Sequence, residues 1–207
     1  MTDARRRAVR VIFLDFRDAR GVDDCRGEYS TPVNWCLALI VAGGLAAASG
    51  AQTRLRPPDV KYVPTPQSAV DAMLEMANVT ASDVVYDLGS GDGRIPITAA
   101  QRYGARGVGI EIDSYYLRFA FDNLAKAGVA DRVVFLNQDL FESDISPATV
   151  VTLFLLPRLN QQLMPKLKRE LRRGARVVSH QFDMGEHWPA DETRDVNGLT
   201  IYLWTIR

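Results

Sequence analysis

The sequence predicts a doubly wound α/β fold, with a mostly parallel sheet closed by a C-terminal antiparallel hairpin. Three observations carry that reading. Short apolar runs alternate with helix-period segments from residue 83 onward, two of the apolar runs end in an acid, and Asn197-Gly198 marks a two-residue hairpin near the C-terminus. Thr65-Pro66 reads as an N-cap with Pro at the first helical position, and the helix behind it places Val70, Met73, Leu74 and Ala77 on one face. Residues 83–87 (Asp-Val-Val-Tyr-Asp) form a strand, 89–93 a glycine-rich turn, and 94–103 a helix. Residues 107–111 form a second strand, also ending in an acid. The helix over 115–126 sets Leu117, Ala120, Phe121 and Leu124 at core spacing. Strands follow at 132–136, 149–155 and 176–182, and a helix over 159–172 repeats Leu159, Leu163, Leu167 and Leu171 four apart. Strands near 193–196 and over 199–206 flank the hairpin pair.

A chain of 207 residues and 23.0 kDa suits one domain of this class with an appendage. Its balanced charge, 25 basic against 25 acidic groups, argues against a general nucleic-acid coat. The 47% hydrophobic content excludes a disordered chain. Cys25 and Cys36 lie outside zinc-type spacing and no Cys follows, so the main domain has neither a disulfide scaffold nor a Cys metal site. His180 and His187 are too few for a His-rich centre, and no metal is expected.

Charge placement gives the first boundary. Residues 1–28 hold seven Arg and six acids, and 29–53 hold no charge at all. The run 35–51 is Ala-, Leu- and Gly-rich; seventeen helical residues span roughly 25 Å, marginal for a bilayer core of about 30 Å. The small-residue end at Ala48-Ser49-Gly50-Ala51 resembles the end of a signal h-region. The domain plan is therefore an extension over 1–53 with a membrane-directing segment at 33–51, cleaved or retained, then a Pro-Pro linker over 54–61 and a folded domain over 62–207. A buried Ala/Gly-rich helix is the competing reading of 33–51.

The chemistry gathers at the carboxyl ends of the first three strands, where ligands of such sheets bind. Asp87-Leu88-Gly89-Ser90-Gly91-Asp92-Gly93 runs from a strand through a turn into a helix. Gly89, Gly91 and Gly93 do not follow the dinucleotide spacing, and Asp87 and Asp92 would repel a pyrophosphate. Two carboxylates suit a ligand carrying an ammonium and a sulfonium. Glu111, at the second strand tip, can accept both hydroxyls of a ribose. Asp139 can accept from an adenine amino group, with Leu140 and Phe141 as an apolar face.

These residues resemble the Rossmann-like S-adenosylmethionine (SAM)-dependent methyltransferases over most of 84–141. A closer resemblance joins Tyr62-Val63-Pro64-Thr65-Pro66, the glycine turn, Gly109-Ile110-Glu111, residues 150–157 and Arg176-Val177-Val178-Ser179-His180. It is to the small membrane-anchored protein-lysine methyltransferases that modify the adenine nucleotide translocase and the ATP synthase c-subunit. The resemblance implies SAM as cofactor, a strap from Tyr62 to Thr65 folded over it, and a protein substrate, a membrane protein among the candidates.

SAM chemistry needs alignment more than side-chain catalysis, so no nucleophile is assigned. Leu155-Leu156-Pro157 lacks the polar residue of the amide- and base-methylating Asn/Asp-Pro-Pro motif, which argues against adenine or glutamine as acceptor. Leu156, Pro157 and His180 are the candidates for substrate-side contacts; the plainer reading of His180 is a strand-end imidazole bonded to backbone. The basic run over 158–176 is either a solvated helix face or a contact for anionic lipid, and no nucleic-acid partner is expected. A small-molecule methyltransferase for a lipid or quinone precursor and a non-catalytic SAM-binding module are the alternatives to a lysine methyltransferase. Because SAM is cytosolic, the expected location is a retained membrane anchor with the catalytic domain in the cytosol; export after cleavage near Ala51 is the alternative.

Overall fold

The structure, a computed structural model, describes residues 55–207. The segment 33–51 and the signal or anchor expected there lie outside the described residues. Among the described residues, no helix is long and apolar enough to cross a membrane.

Seven strands form one sheet in the order β3-β2-β1-β4-β5-β7-β6, where β1 is Val84–Leu88, β2 Arg106–Glu111, β3 Val133–Asn137, β4 Val150–Leu153, β5 Arg176–His180, β6 Glu192–Val196 and β7 Leu199–Thr205. The first five strands pair in parallel, and β7 enters antiparallel beside β5. The chain winds outward from β1 to β3, then restarts at β4 on the other side of β1. That switch opens a crevice at the carboxyl ends of β1 and β4. Asn197 (φ 56°) and Gly198 (φ 79°) both adopt the left-handed conformation that a two-residue turn of this kind requires.

Among the described residues, four helices cover the sheet: α1 (Gln67–Met76), α2 (Arg94–Tyr103), α3 (Ser114–Ala127) and α4 (Pro157–Glu170). Val70, Met73, Leu74 and Ala77 are fully buried, packed with Val85, Val150, Val178 and Ile201 of the sheet. Leu159, Leu163 and Leu167 bury the corresponding stripe of α4. On α3, Leu117, Ala120 and Leu124 face Val133 and Phe135, but Phe121 is 49% exposed. Its helical spacing is right, yet it sits at the edge of the stripe, edge-on to Phe135 at 5.8 Å.

Three other expectations are corrected. Pro66, not Thr65, holds the N-cap position of α1, and no side chain caps that helix; the Pro66 carbonyl takes the N–H groups of Ala69 and Val70. β4 stops at Leu153, and α4 starts at Pro157, whose fixed φ suits a first helical position. The basic run of 158–176 is not one cationic face. Lys166 is buried and donates to the Ser143 carbonyl (2.6 Å) and to Glu170 (2.8 Å). Arg176 pairs with Asp83 and donates to the carbonyls of Ala77 (2.6 Å) and Asn78 (3.2 Å), tying the end of α1 to the start of β1.

Candidate functional site

The turn after β1 is shaped by close approach. Gly91, at φ 53°, leaves room for Tyr62: a Cβ there would lie 2.3 Å from the Tyr62 ring. Gly93 opens α2 at φ 77°, and a Cβ there would lie 2.3 Å from the Phe135 ring. Glu111, at the tip of β2, stands across the turn. One of its oxygens accepts from the Gly91 N–H and the other from the Asp113 N–H, each at 2.8 Å. A carboxylate has about four acceptor sites, so both oxygens keep capacity for a ligand.

Asp87 is 4% exposed, and Thr152 Oγ1 donates to it at 2.7 Å. Burial pushes its carboxyl up to about 7, and the charges of Glu111 and Asp92 push the same way. Burial also works against the Asp92 carboxylate, but the hydrogen bonds from Arg94 outweigh it and hold Asp92 below the usual carboxylate range. Arg94 grips Asp92 through Nη2 (2.7 Å) and Nε (3.0 Å) and gives Nη1 to the Thr65 carbonyl (2.8 Å). One guanidinium thus fastens the strap to the glycine turn. The Tyr62 ring lies 4.4 Å from that of Tyr116, tilted by 36°, and burial, then the Asp92 charge, pushes its hydroxyl to about 12.

The cleft bounded by these groups is lined by Tyr62, Thr65, Asp87, Gly89, Ser90, Asp92, Glu111 and Leu140. Gly91 and Gly93 do not line it; Gly91 lies under the Tyr62 ring and Gly93 sets the helix start. Asp139 and Phe141 are also off the wall. Asp139 is paired with Arg56, which also pairs with Asp59 and lies 5.3 Å over the Phe141 ring. The Phe141 N–H donates to Asp139 at 2.9 Å. The stretch read as a linker supplies cleft residues itself, among them Arg56, Asp59 and Lys61.

Sequence reasoning also missed Arg94, Ile112, Tyr116, Phe154 and Leu155 as wall residues. For Arg94 a signal existed: it stands two residues from Asp92, at the helix start. On the acceptor side, Leu156 is 41% exposed and Pro157 is exposed; neither lines the cleft, whereas Phe154 and Leu155 do. The backbone-bonded reading of His180 is overturned, because both ring nitrogens lack a partner; the ring lies 4.2 Å from Phe154.

The wall fits a cationic, hydroxyl-bearing ligand. Asp59, Asp87, Asp92, Glu111 and Asp113 all line it, and so does the buried Ser90 hydroxyl, which has no partner. No group of His, Cys, Asp and Glu that could hold a metal occurs among the described residues.

Known proteins resemble this chain. The sequence matches the model of the ANTKMT methyltransferase domain over residues 87–192. A protein-lysine N-methyltransferase of Saccharolobus islandicus is 47% identical over 153 residues, spanning 72% of this chain and 95% of the relative. The human lysine N-methyltransferase of the ATP synthase c-subunit is 31% identical over 178 residues, 83% of this chain and 75% of the relative. A solved structure from Salinibacter ruber, named an RNA methyltransferase in complex with S-adenosyl-L-homocysteine, superposes with a TM-score of 0.68 at 60% identity, covering 70% of this chain and 94% of that one.

Proposed function

Because the chain belongs to the ANTKMT methyltransferase family and is a SAM-dependent methyltransferase, we propose that it methylates the side-chain amine of a protein lysine. When bound, SAM supplies a methyl group already activated by its sulfonium. Glu111 is the candidate for the ribose hydroxyls, Asp87 and Asp92 for the cationic end, and Leu140 and Ile112 for the adenine faces. The chain's own task is to align the acceptor and exclude water.

The single observation favouring lysine is the kinship to lysine methyltransferases, with 95% of the Saccharolobus relative matched. The acceptor wall is consistent with it. Phe154 and Leu155 are apolar, and an apolar channel lowers an amine's pKa toward the reactive neutral form. The name of the Salinibacter relative favours a second reading, an RNA acceptor. Against it stand the missing polar residue at Leu155 and the basic run, where Lys166 and Arg176 are engaged internally.

The substrate we favour is a membrane protein, with 33–51 as a retained anchor and the catalytic domain cytosolic. What supports this is the uncharged composition of that segment and the cytosolic supply of SAM. Labelled SAM added to membrane, soluble-protein and RNA fractions tests the whole reading. N-Methyllysine in a membrane protein is the expected product; labelled RNA would install the second reading.

A further inference from the structure

Four buried side-chain polar atoms among the described residues lack a hydrogen-bond partner, and two of them are the ring nitrogens of His180. His180 is 3% exposed, so bulk water does not compensate for the loss. Its place in the sheet points to a ligand. Leu153 pairs with Ser179, and His180 pairs with Ile201. One residue past that register, Phe154 and His180 therefore share a face, which agrees with the 4.2 Å between their rings. Val178 and Ile201 pack on the same face beneath α1. The strap that leads into α1 borders the cleft, and Phe154 is a cleft residue. The cofactor candidates Asp87, Glu111 and Leu140 belong to the ends of β1, β2 and β3. The rim left for the acceptor is that of β4 and β5; Phe154 lines the cleft there, and His180, itself off the wall, lies against the Phe154 ring.

We infer that His180 accepts an N–H of the neutral acceptor amine beside the Phe154 ring, turning the nitrogen lone pair toward the cleft. This deepens the lysine reading and rests on it. A neutral imidazole offers one donor and one acceptor. Its surroundings are apolar, Phe154 on one side and Phe182 beyond it, stacked 6.4 Å from Phe154. Burial holds the imidazole pKa below its ordinary value. His180 is therefore a hydrogen-bond acceptor rather than a proton sink, and the lysine's proton leaves to solvent before the amine enters.

The test uses the full chain with tritiated SAM and the protein fractions as probe, with rates read at varied concentration of the protein that becomes labelled. His180→Phe preserves a ring against Phe154 and is expected to lower kcat roughly 10²-fold, the scale of a misplaced nucleophile. SAM affinity by calorimetry should stay at the wild-type value. His180→Gln retains an acceptor and should recover most of the rate. Wild-type kcat in His180→Phe overturns the inference. So does an equal loss in both variants accompanied by lost SAM affinity, which would mark a structural role. If the wild-type product carries label but no N-methyllysine, the lysine reading falls, and this inference with it.

Discussion

Arg56 reaches across 83 positions of sequence to hold Asp139 with two guanidinium nitrogens, and the same side chain pairs with Asp59. The strap ahead of α1 is thereby latched to the loop after β3. The side chains are 36% and 12% exposed, so this pair contributes under about 1 kcal/mol to global stability. Its effect should appear in ligand kinetics. Arg56→Ala is expected to leave the urea midpoint nearly unchanged while SAM dissociation accelerates about tenfold, equivalent to about 1.4 kcal/mol. Stopped-flow release measures this; an unchanged off-rate would show that the latch does not gate the cofactor.

Asp87 links cofactor binding to a proton. Its ordinary value of 3.8 rises to about 7 in the fold, chiefly through burial. The folded protein therefore prefers the protonated carboxyl. That contribution to stability is complete below about pH 4 and fades as pH rises toward 7. A cationic ligand favours the ionised form, so SAM affinity should rise over the same window and level off above it. Asp87→Asn can still accept from Thr152, so it should raise apo stability at pH 8 by roughly 4 kcal/mol and weaken SAM binding. Urea titrations of both proteins at pH 5 and pH 8 provide the check, since their difference cancels the other acids.

Glu111 has two duties. Its oxygens bind the backbone N–H groups of Gly91 and Asp113, so Glu111→Ala strands two donors at about 1–3 kcal/mol each. Loss of the ribose bonds should cost SAM affinity a further 2 to 4 kcal/mol, roughly. Glu111→Gln keeps one oxygen and should fall between. Thermal melts without SAM, set beside calorimetry with it, separate the two duties; unchanged SAM affinity in Glu111→Ala would remove the ribose assignment.

The order of elements was legible because the other strands carry apolar runs, each helix an apolar stripe, and the polar β6 (Glu-Thr-Arg-Asp-Val) is announced by the Asn197-Gly198 turn. Val70, Met73, Leu74 and Ala77 stand where their spacing puts them. What periodicity cannot show is a partner distant in sequence. Arg176 reads as one more charge beside Arg172 and Arg173, yet Asp83 and two carbonyls at the end of α1 claim it. Asp139 reads as an acceptor for an adenine amino group, yet Arg56, from the stretch read as a linker, takes it. The Pro-Pro stretch reads as a linker because composition reports stiffness, not destination. The acids of the turn could be found from sequence alone because strand, acid and glycines are contiguous there.

Arg176 allows a contrast within one charge run. Arg176→Ala removes the partner of Asp83, whose side chain is 8% exposed, and strands the carbonyls of Ala77 and Asn78. A loss of about 3 kcal/mol is expected, near the lower figure for breaking a buried pair. Arg172 and Arg173 are exposed, and Ala at either should shift stability by under about 0.5 kcal/mol. Urea midpoints of the three variants measure the difference; equal small shifts would reduce Arg176 to a surface charge.

Gly91 and Tyr62 should reveal whether the strap closes by packing on the turn. A Cβ at Gly91 would lie 2.3 Å from one Tyr62 ring atom and 2.7 Å from another, inside any real contact distance. The backbone φ of 53° adds left-handed strain of about 1–2 kcal/mol for any side chain. Gly91→Ala therefore carries two penalties, and only the steric one involves Tyr62. Tyr62→Ala vacates that space but also loses the ring contact with Tyr116. In a double-mutant cycle, the pair should be more stable than the sum of the single changes by about 1–3 kcal/mol. The residual cost should be the backbone strain. SAM affinity is expected to fall in Tyr62→Ala and to stay low in the double variant, because the strap has lost its contact with the cofactor side. Additive stability changes would mean that Tyr62 already stands clear of the turn in solution, and that Arg94, through the Thr65 carbonyl, and Arg56, through Asp139, hold this segment without it.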